Sequence, residues 1–147
     1  LNIDMSRFNK QFQRAQYELD GNVMNSMIPF MPMQDGTFIN VTRAESAAMQ
    51  GTGKVCAGAK PQGRYLYEGK AMVDRDTGKG PMKIPTGPGP SDYILRYREG
   101  AKLKATSRPL QYSKEAHPQV TDHWFDAAKR ADGSKWIRNA KRTAGGG

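Results

Sequence analysis

Cysteine is all but missing from this 147-residue chain. Cys56 stands alone, so no intrachain disulfide can form and no cysteine cluster can hold a metal. The fold needs no oxidising compartment. Long apolar runs are missing too. The longest, from Met27 to Met33, is broken by Pro29 and Pro32, whereas a membrane helix needs about 20 apolar residues. No charged stretch followed by an apolar run reads as a secretion signal. Hydrophobic residues make up only 37%, against roughly 45–50% in an average soluble domain with glycine included. The expectation is a soluble protein, with no membrane partner, that folds as a single domain over residues 1–147. Its core is thin, and neighbouring subunits would add to it.

What the chain has in excess is positive charge, at a net +9, together with 16 glycines and 9 prolines. The charge is uneven. Residues 1–90 carry 11 Lys/Arg and 8 Asp/Glu, a net +3, and residues 91–147 carry 12 and 6, a net +6. A basic surface of this kind suits a polyanion, and it also serves simply as a solvated face.

Phe8, Phe12, Ala15, Leu19 and Val23 recur at spacings of three and four, which predicts an N-terminal helix capped by Asp4 or Ser6. Pro29 must stop it, having no N–H and restricting Ile28. Met24, Met27, Met31 and Met33 cluster around that stop, either as adaptable core filler or as an interface. After the turn signal Gln34-Asp35-Gly36, strands are expected at Thr37–Thr42, Lys54–Ala59 and Arg64–Tyr67, the last continuing through Ala71–Val73. Residues 74–90 read as a long Gly/Pro-rich loop or arm, ordered only against a neighbour. Tyr93–Tyr97 reads as a strand with Leu110–Tyr112 as its partner. A second helix follows Pro118, capped by Thr121 and broken at Asp132-Gly133, and 143–147 form a flexible tail. The fold class expected is therefore α+β, a small antiparallel sheet packed with a long N-terminal helix and a C-terminal helix. Phe8, Phe12 and Leu19 should pack with Trp124 and Phe125 over one sheet face.

Catalytic patterns fail on inspection. Gly51-Thr52-Gly53-Lys54 hints at a phosphate loop, but that pattern needs Gly where Ala48 stands and Ser or Thr where Val55 stands. Asp74-Arg75-Asp76-Thr77-Gly78 hints at a calcium loop, but Gly78, Lys79 and Pro85 occupy the positions of an oxygen ligand, a glycine and a glutamate. His117 and His123 are six apart across Pro118, with no third zinc ligand evident. Pairing His117 with Glu115 would be an invented nuclease; a packing histidine near a helix start is the plainer reading. No cofactor is expected. Tyr93, Arg96, Tyr97, Arg98, Lys102, Lys104 and Arg108 interleave aromatics with cations, which suits nucleic acid or a packed strand with a basic edge. The second reading is favoured.

Four segments carry a resemblance. They are Ile3-Asp4-Met5-Ser6-Arg7-Phe8 with Phe12, Ile28-Pro29-Phe30-Met31-Pro32-Met33-Gln34-Asp35-Gly36, Gly63-Arg64-Tyr65-Leu66-Tyr67-Glu68-Gly69-Lys70, and Ala116-His117-Pro118-Gln119-Val120-Thr121-Asp122-His123-Trp124-Phe125. In this order the chain resembles the minor capsid protein family of tailed phages and prophages, itself similar to the neck and tail-completion proteins of long-tailed phages. Asp35 stands where those neck proteins usually have Thr, and 74–90 has no counterpart.

The resemblance implies a structural virion protein rather than an enzyme, made in a bacterial host's cytoplasm. It would form a homo-oligomeric ring of 6 or 12 copies in the head–tail connector. Its partners would be an adaptor or stopper, a tail terminator or tail-tube protein, and the genomic DNA in the channel. The candidate interface residues are Met27, Phe30, Met31 and Met33 at the helix end, Lys79, Met82 and Ile84 in the arm, and Lys135, Arg138 and Arg142 on the C-terminal helix. That helix is expected to face outward or towards an acidic neighbour. The rival expectation is a basic DNA-binding module unrelated to the neck.

Overall fold

The computed structural model describes residues 5–33, 36–58 and 63–145. Helix α1 spans Ser6–Met27, α2 Thr37–Ala48, α3 Gly63–Glu68 and α4 Trp124–Thr143, with a 3₁₀ turn at Ile28–Phe30. Strands β1 (Lys70–Asp74), β2 (Met82–Pro85), β3 (Tyr93–Arg96) and β4 (Leu103–Pro109) are all antiparallel. The class is α+β, with a long helix near each end. The chain forms two compact units, a helical one over residues 1–68 and 111–147 and a β unit over 69–110.

In the helical unit α1 and α4 run antiparallel. Trp136 Nε1 donates to Ser26 Oγ at 3.0 Å, and Thr143 Oγ1 donates to Glu18 further back along α1. α1 ends at Met27 as Pro29 requires, and the chain passes through the 3₁₀ turn into Met31, whose N–H donates to Ile28 O at 3.1 Å. Met24, Met27, Ile28, Met31, Ile39, Trp124, Ala128 and Trp136 form the core. No strand residue belongs to it, so the expected packing of these helices over a sheet face is not what closes the core.

The expected strand at Thr37–Thr42 is the start of α2 instead. Its β-branched residues suggested a strand, but Ile39, Thr42 and Ser46 are the buried ones, and their spacing of three and four is helical. Thr42 Oγ1 donates to Phe38 O at 2.8 Å, which satisfies its hydroxyl inside the helix. Arg64–Tyr67, also expected as a strand, lies in α3. Leu66 and Tyr67 pack against the core from there. Gly63 lies so close to the Gly58 backbone that a Cβ on it would sit 2.5 Å from Gly58 O, so the side-chain-free residue is required. Residues 54–58 of the expected Lys54–Ala59 strand have no strand structure, and Ala59 lies outside the described residues.

α4 runs unbroken through Asp132-Gly133. Its N-cap is His123, with φ 44°, rather than Thr121. Thr121 donates its N–H to Phe30 O at 3.0 Å instead. His117 Nδ1 lies 2.7 Å from Met31 O, a packing histidine as expected. Of the tail expected at 143–147, Thr143 is helical and 146–147 lie outside the described residues. Asp4, one of the two expected caps of α1, lies outside them also. Ser6 is the first helical residue, and Met5 holds the cap position without a side-chain cap bond.

Phe8 and Phe12 are 50% and 59% exposed, which corrects their assignment to the core. The apolar stripe of α1 is longer than its partner. Near the end of α4, a Cβ on Gly145 would lie 3.8 Å from Gln11 Oε1, so the first turns of α1 have no further helix to pack on. Leu19 and Phe125, lower down, do pack against the core.

Two substitutions separate the closed core from the exposed end of the α1 stripe. Trp124→Ala should cost about 3–5 kcal/mol in a denaturant titration. Phe12→Ala should cost below about 1 kcal/mol. A large loss for Phe12→Ala would mean that the α1 overhang is covered in the folded monomer.

Candidate assembly interface

The β unit is a single two-legged excursion. The chain leaves along β1 and β2 and returns along β3 and β4, with β1 paired to β4 and β2 to β3. Leu110 N–H donates to Gly69 O at 2.8 Å and closes its base. The segment 74–90, expected as a loop or arm, thus holds a strand of its own, β2. The expected partner of β3, Leu110–Tyr112, is not a strand. The β2 backbone pairs with β3 in its place, because Pro85↔Tyr93 to Met82↔Arg96 match in register across the Gly/Pro-rich turn. That turn is held by Asp92, which accepts Gly89 N–H at 2.9 Å, and by Thr86 N–H on Asp92 O at 2.8 Å.

Between the two paired segments Arg98 ties the legs together. Its Nε donates to Asp74 Oδ2 at 3.0 Å and its Nη2 to Asp76 Oδ2 at 3.1 Å. Asp74 is buried, and its Oδ1 also accepts Asp76 N–H at 2.9 Å. The Arg98 hydrogen bonds, then the backbone N–H, hold the Asp74 carboxyl below the usual carboxylate range, and the Arg98 guanidinium is raised in turn. The sequence that hinted at a calcium loop therefore uses its aspartates on an arginine.

Cross-strand partners share a face, so Met82, Ile84, Ile94 and Arg96 lie on one side of the tip, and Lys83, Pro85, Tyr93 and Leu95 on the other. Lys83 Nζ sits 4.6 Å from the Tyr93 ring centroid. Met82, Ile94 and Leu95 are 57%, 49% and 54% exposed. Isolated two-stranded ribbons are marginal in water, and clustered exposed apolar side chains mark contact surfaces. The β unit carries nine of the chain's Lys/Arg and four of its Asp/Glu.

The helical unit has its own apolar surface, a cleft of about 940 Å³ lined by Leu19, Val23, Val55, Tyr67, Phe125 and Ile137 among others. Gly53 reaches this cleft because Asp20 holds the 51–53 turn. Its Oδ2 accepts Gly51 N–H at 2.7 Å and Gly53 N–H at 3.0 Å, and its Oδ1 accepts from Gln16 at 2.8 Å. Gly51 and Gly53 have φ of 95° and 82°, which glycine alone adopts easily. The phosphate-loop hint thus resolves into an anion nest filled by the chain's own carboxylate.

The candidate interface residues separate. Met27 and Met31 are fully buried in the chain's own core, and Phe30 packs at its margin. Met33 is exposed. Lys79 and Met82 are exposed and Ile84 half-buried, all on the β unit. Lys135, Arg138 and Arg142 lie on the exposed side of α4, with Lys135 Nζ 3.6 Å from Asp132 and Arg142 donating to Asn139 Oδ1 at 3.2 Å. Sequence reasoning missed Ile94 and Leu95 as surface residues. The alternating pattern around them was visible, but their exposure was not. It also missed Asp20, which gave no signal beyond two glycines in a turn. Among the described residues there is no group of acidic, histidine and cysteine side chains suited to a metal ion, and no helix long and apolar enough to cross a membrane. No family model, curated protein or solved structure matches this chain.

Because folding lowers the Asp74 pKa, its contribution to ribbon stability is fully present above the ordinary carboxylate value of about 3.9. It is lost as pH falls through the depressed native value. The protection factors of the Arg75 and Lys104 amides, measured by hydrogen exchange against the intrinsic rate at each pH, should hold down to the ordinary carboxylate range and fall below it. In Arg98→Ala protection should be lower above that range and fall less below it, because the native pKa then lies closer to the unfolded one. Identical profiles for the two proteins would show that the Arg98 cluster does not hold the legs together.

Proposed function

We propose that this chain is a non-enzymatic structural component of a tailed-phage particle, a subunit of a ring in the head–tail connector. The observation that carries the reading is the β2–β3 tip, an exposed apolar ribbon with a basic border. Such a surface is a liability in a free monomer and is useful only when something covers it. The ordered resemblance to minor capsid proteins supplies the setting. The ring's neighbours are an adaptor or stopper on one side and a tail terminator or tail-tube protein on the other, with genomic DNA passing through the channel. The exposed cations of α4, Lys135, Arg138 and Arg142, steer assembly with an acidic neighbour, contributing more to on-rate and register than to affinity.

Mass spectrometry of purified particles tests this. The chain should be present at a fixed copy number and should survive a moderate salt wash. The rival is a DNA-binding module. It requires tight binding by the isolated chain, with log affinity falling steeply against log salt. Absence from particles overturns the proposal, and tight binding of that kind would establish the rival.

A further inference from the structure

We propose that the ribbon tip of one copy docks in the apolar cleft of a second copy of this chain, so that successive subunits are joined by donated β-ribbons. The inference deepens the ring reading and names the partner of its exposed surface. Three features meet. One face of the tip presents Met82, Ile84 and Ile94 with Arg96 at its edge. The cleft in the helical unit is apolar and open, with Ile137 exposed at its wall. Beside one end of that cleft, around Tyr67, lies a group of exposed carboxylates.

The acidic group is built around Tyr67, which lines the cleft. The carboxylates of Asp126, Glu68 and Asp122 lie close enough to raise its hydroxyl pKa, after burial has done so. His123 sits between two of them, 3.7 Å from Glu68 and 3.5 Å from Asp122. Arg96, on the same face as Met82, Ile84 and Ile94, has no carboxylate within salt-bridge distance among the described residues, so it is free to answer those charges. Lys129 is the one cation among the described residues of the cleft lining. Burial of the apolar face supplies the driving force and the charges supply register.

The contact is heterologous, because the donated surface differs from the accepting one. Repetition of such a contact closes a ring when the rotation fits and continues as a filament when it does not. A chain with a thin core thereby gains burial from its neighbour.

Directed disulfide trapping tests the pairing in the full chain. One preparation carries Cys56→Ser with Ile94→Cys, and the other Cys56→Ser with Ile137→Cys. Mixing under mild oxidation should give a mixed disulfide between the two. Ile94→Cys homodimers alone would place ribbon against ribbon and overturn the proposal, as would no cross-link at concentrations where the chain associates. A charge exchange gives the second measurement. Arg96→Glu should weaken self-association about tenfold in analytical ultracentrifugation. Pairing that chain with one carrying Glu68→Lys and Asp122→Lys should restore it. These positions are exposed, so far-UV circular dichroism should be unchanged. Association that ignores the charge reversals, or ribbon variants that alter only binding to a DNA duplex, would refute the contact. A mixed disulfide in a chain absent from particles would end the neck reading and leave this contact standing. A chain present in particles but without the mixed disulfide would do the reverse.

Discussion

The indole of Trp124 is where the helical unit closes. It is fully buried, and every other helical piece is placed against it or its neighbours. The Tyr67 ring of α3 meets it edge-on at 4.9 Å, and the Phe38 ring of α2 does so at 6.0 Å. Gly58 lies so close that a Cβ there would come within 2.9 Å of the indole. One turn of α4 thus gathers α2, α3 and the connection between them onto the α1–α4 pair. The indole Nε1–H has no hydrogen-bond partner among the described residues. Loss of the whole ring costs about 3–5 kcal/mol.

The β unit is stabilised by a different balance. It buries few large side chains, and its tip leaves both faces open to solvent. Its legs are held by strand pairing, by the closure at Gly69 and Leu110, and by Arg98 between Asp74 and Asp76. Hydrogen bonds contribute about 0.5–1.5 kcal/mol each, so such a unit opens locally at lower cost than a packed core. That suits a segment whose apolar side chains are to be covered by a partner. It also explains why the acidic residues of 74–76 are spent on an arginine rather than on a ligand.

Surplus charge is distributed to match. The buried carboxylate of Asp20 is absorbed by the backbone of Gly51 and Gly53. Three exposed carboxylates, Glu68, Asp122 and Asp126, gather near Tyr67, while cations line the ribbon and the outer side of α4. One molecule therefore presents complementary surfaces of opposite sign, and like copies can meet through unlike faces.

Much of this was legible in the residues themselves. The spacing from Ala15 through Leu19 and Val23 placed the buried half of α1, Pro29 set its end, and the run from Trp124 identified the last helix. The β1 and β3 strands also followed from local pattern, since alternation and β-branching act at the strand itself. What failed did so for one reason, that local propensity is weaker than tertiary context. Thr37–Thr42 and Arg64–Tyr67 have strand-like compositions, yet packing onto Trp124 made both helical. Gly133 did not break α4, because a helix packed along α1 tolerates the roughly 1 kcal/mol that an interior glycine costs. Periodicity alone determined that Phe8 and Phe12 share a face with Leu19. Only the three-dimensional meeting of two helices of unequal reach decided that their end of the stripe stays in solvent, because burial depends on where the partner stops and not on the residue that awaits it.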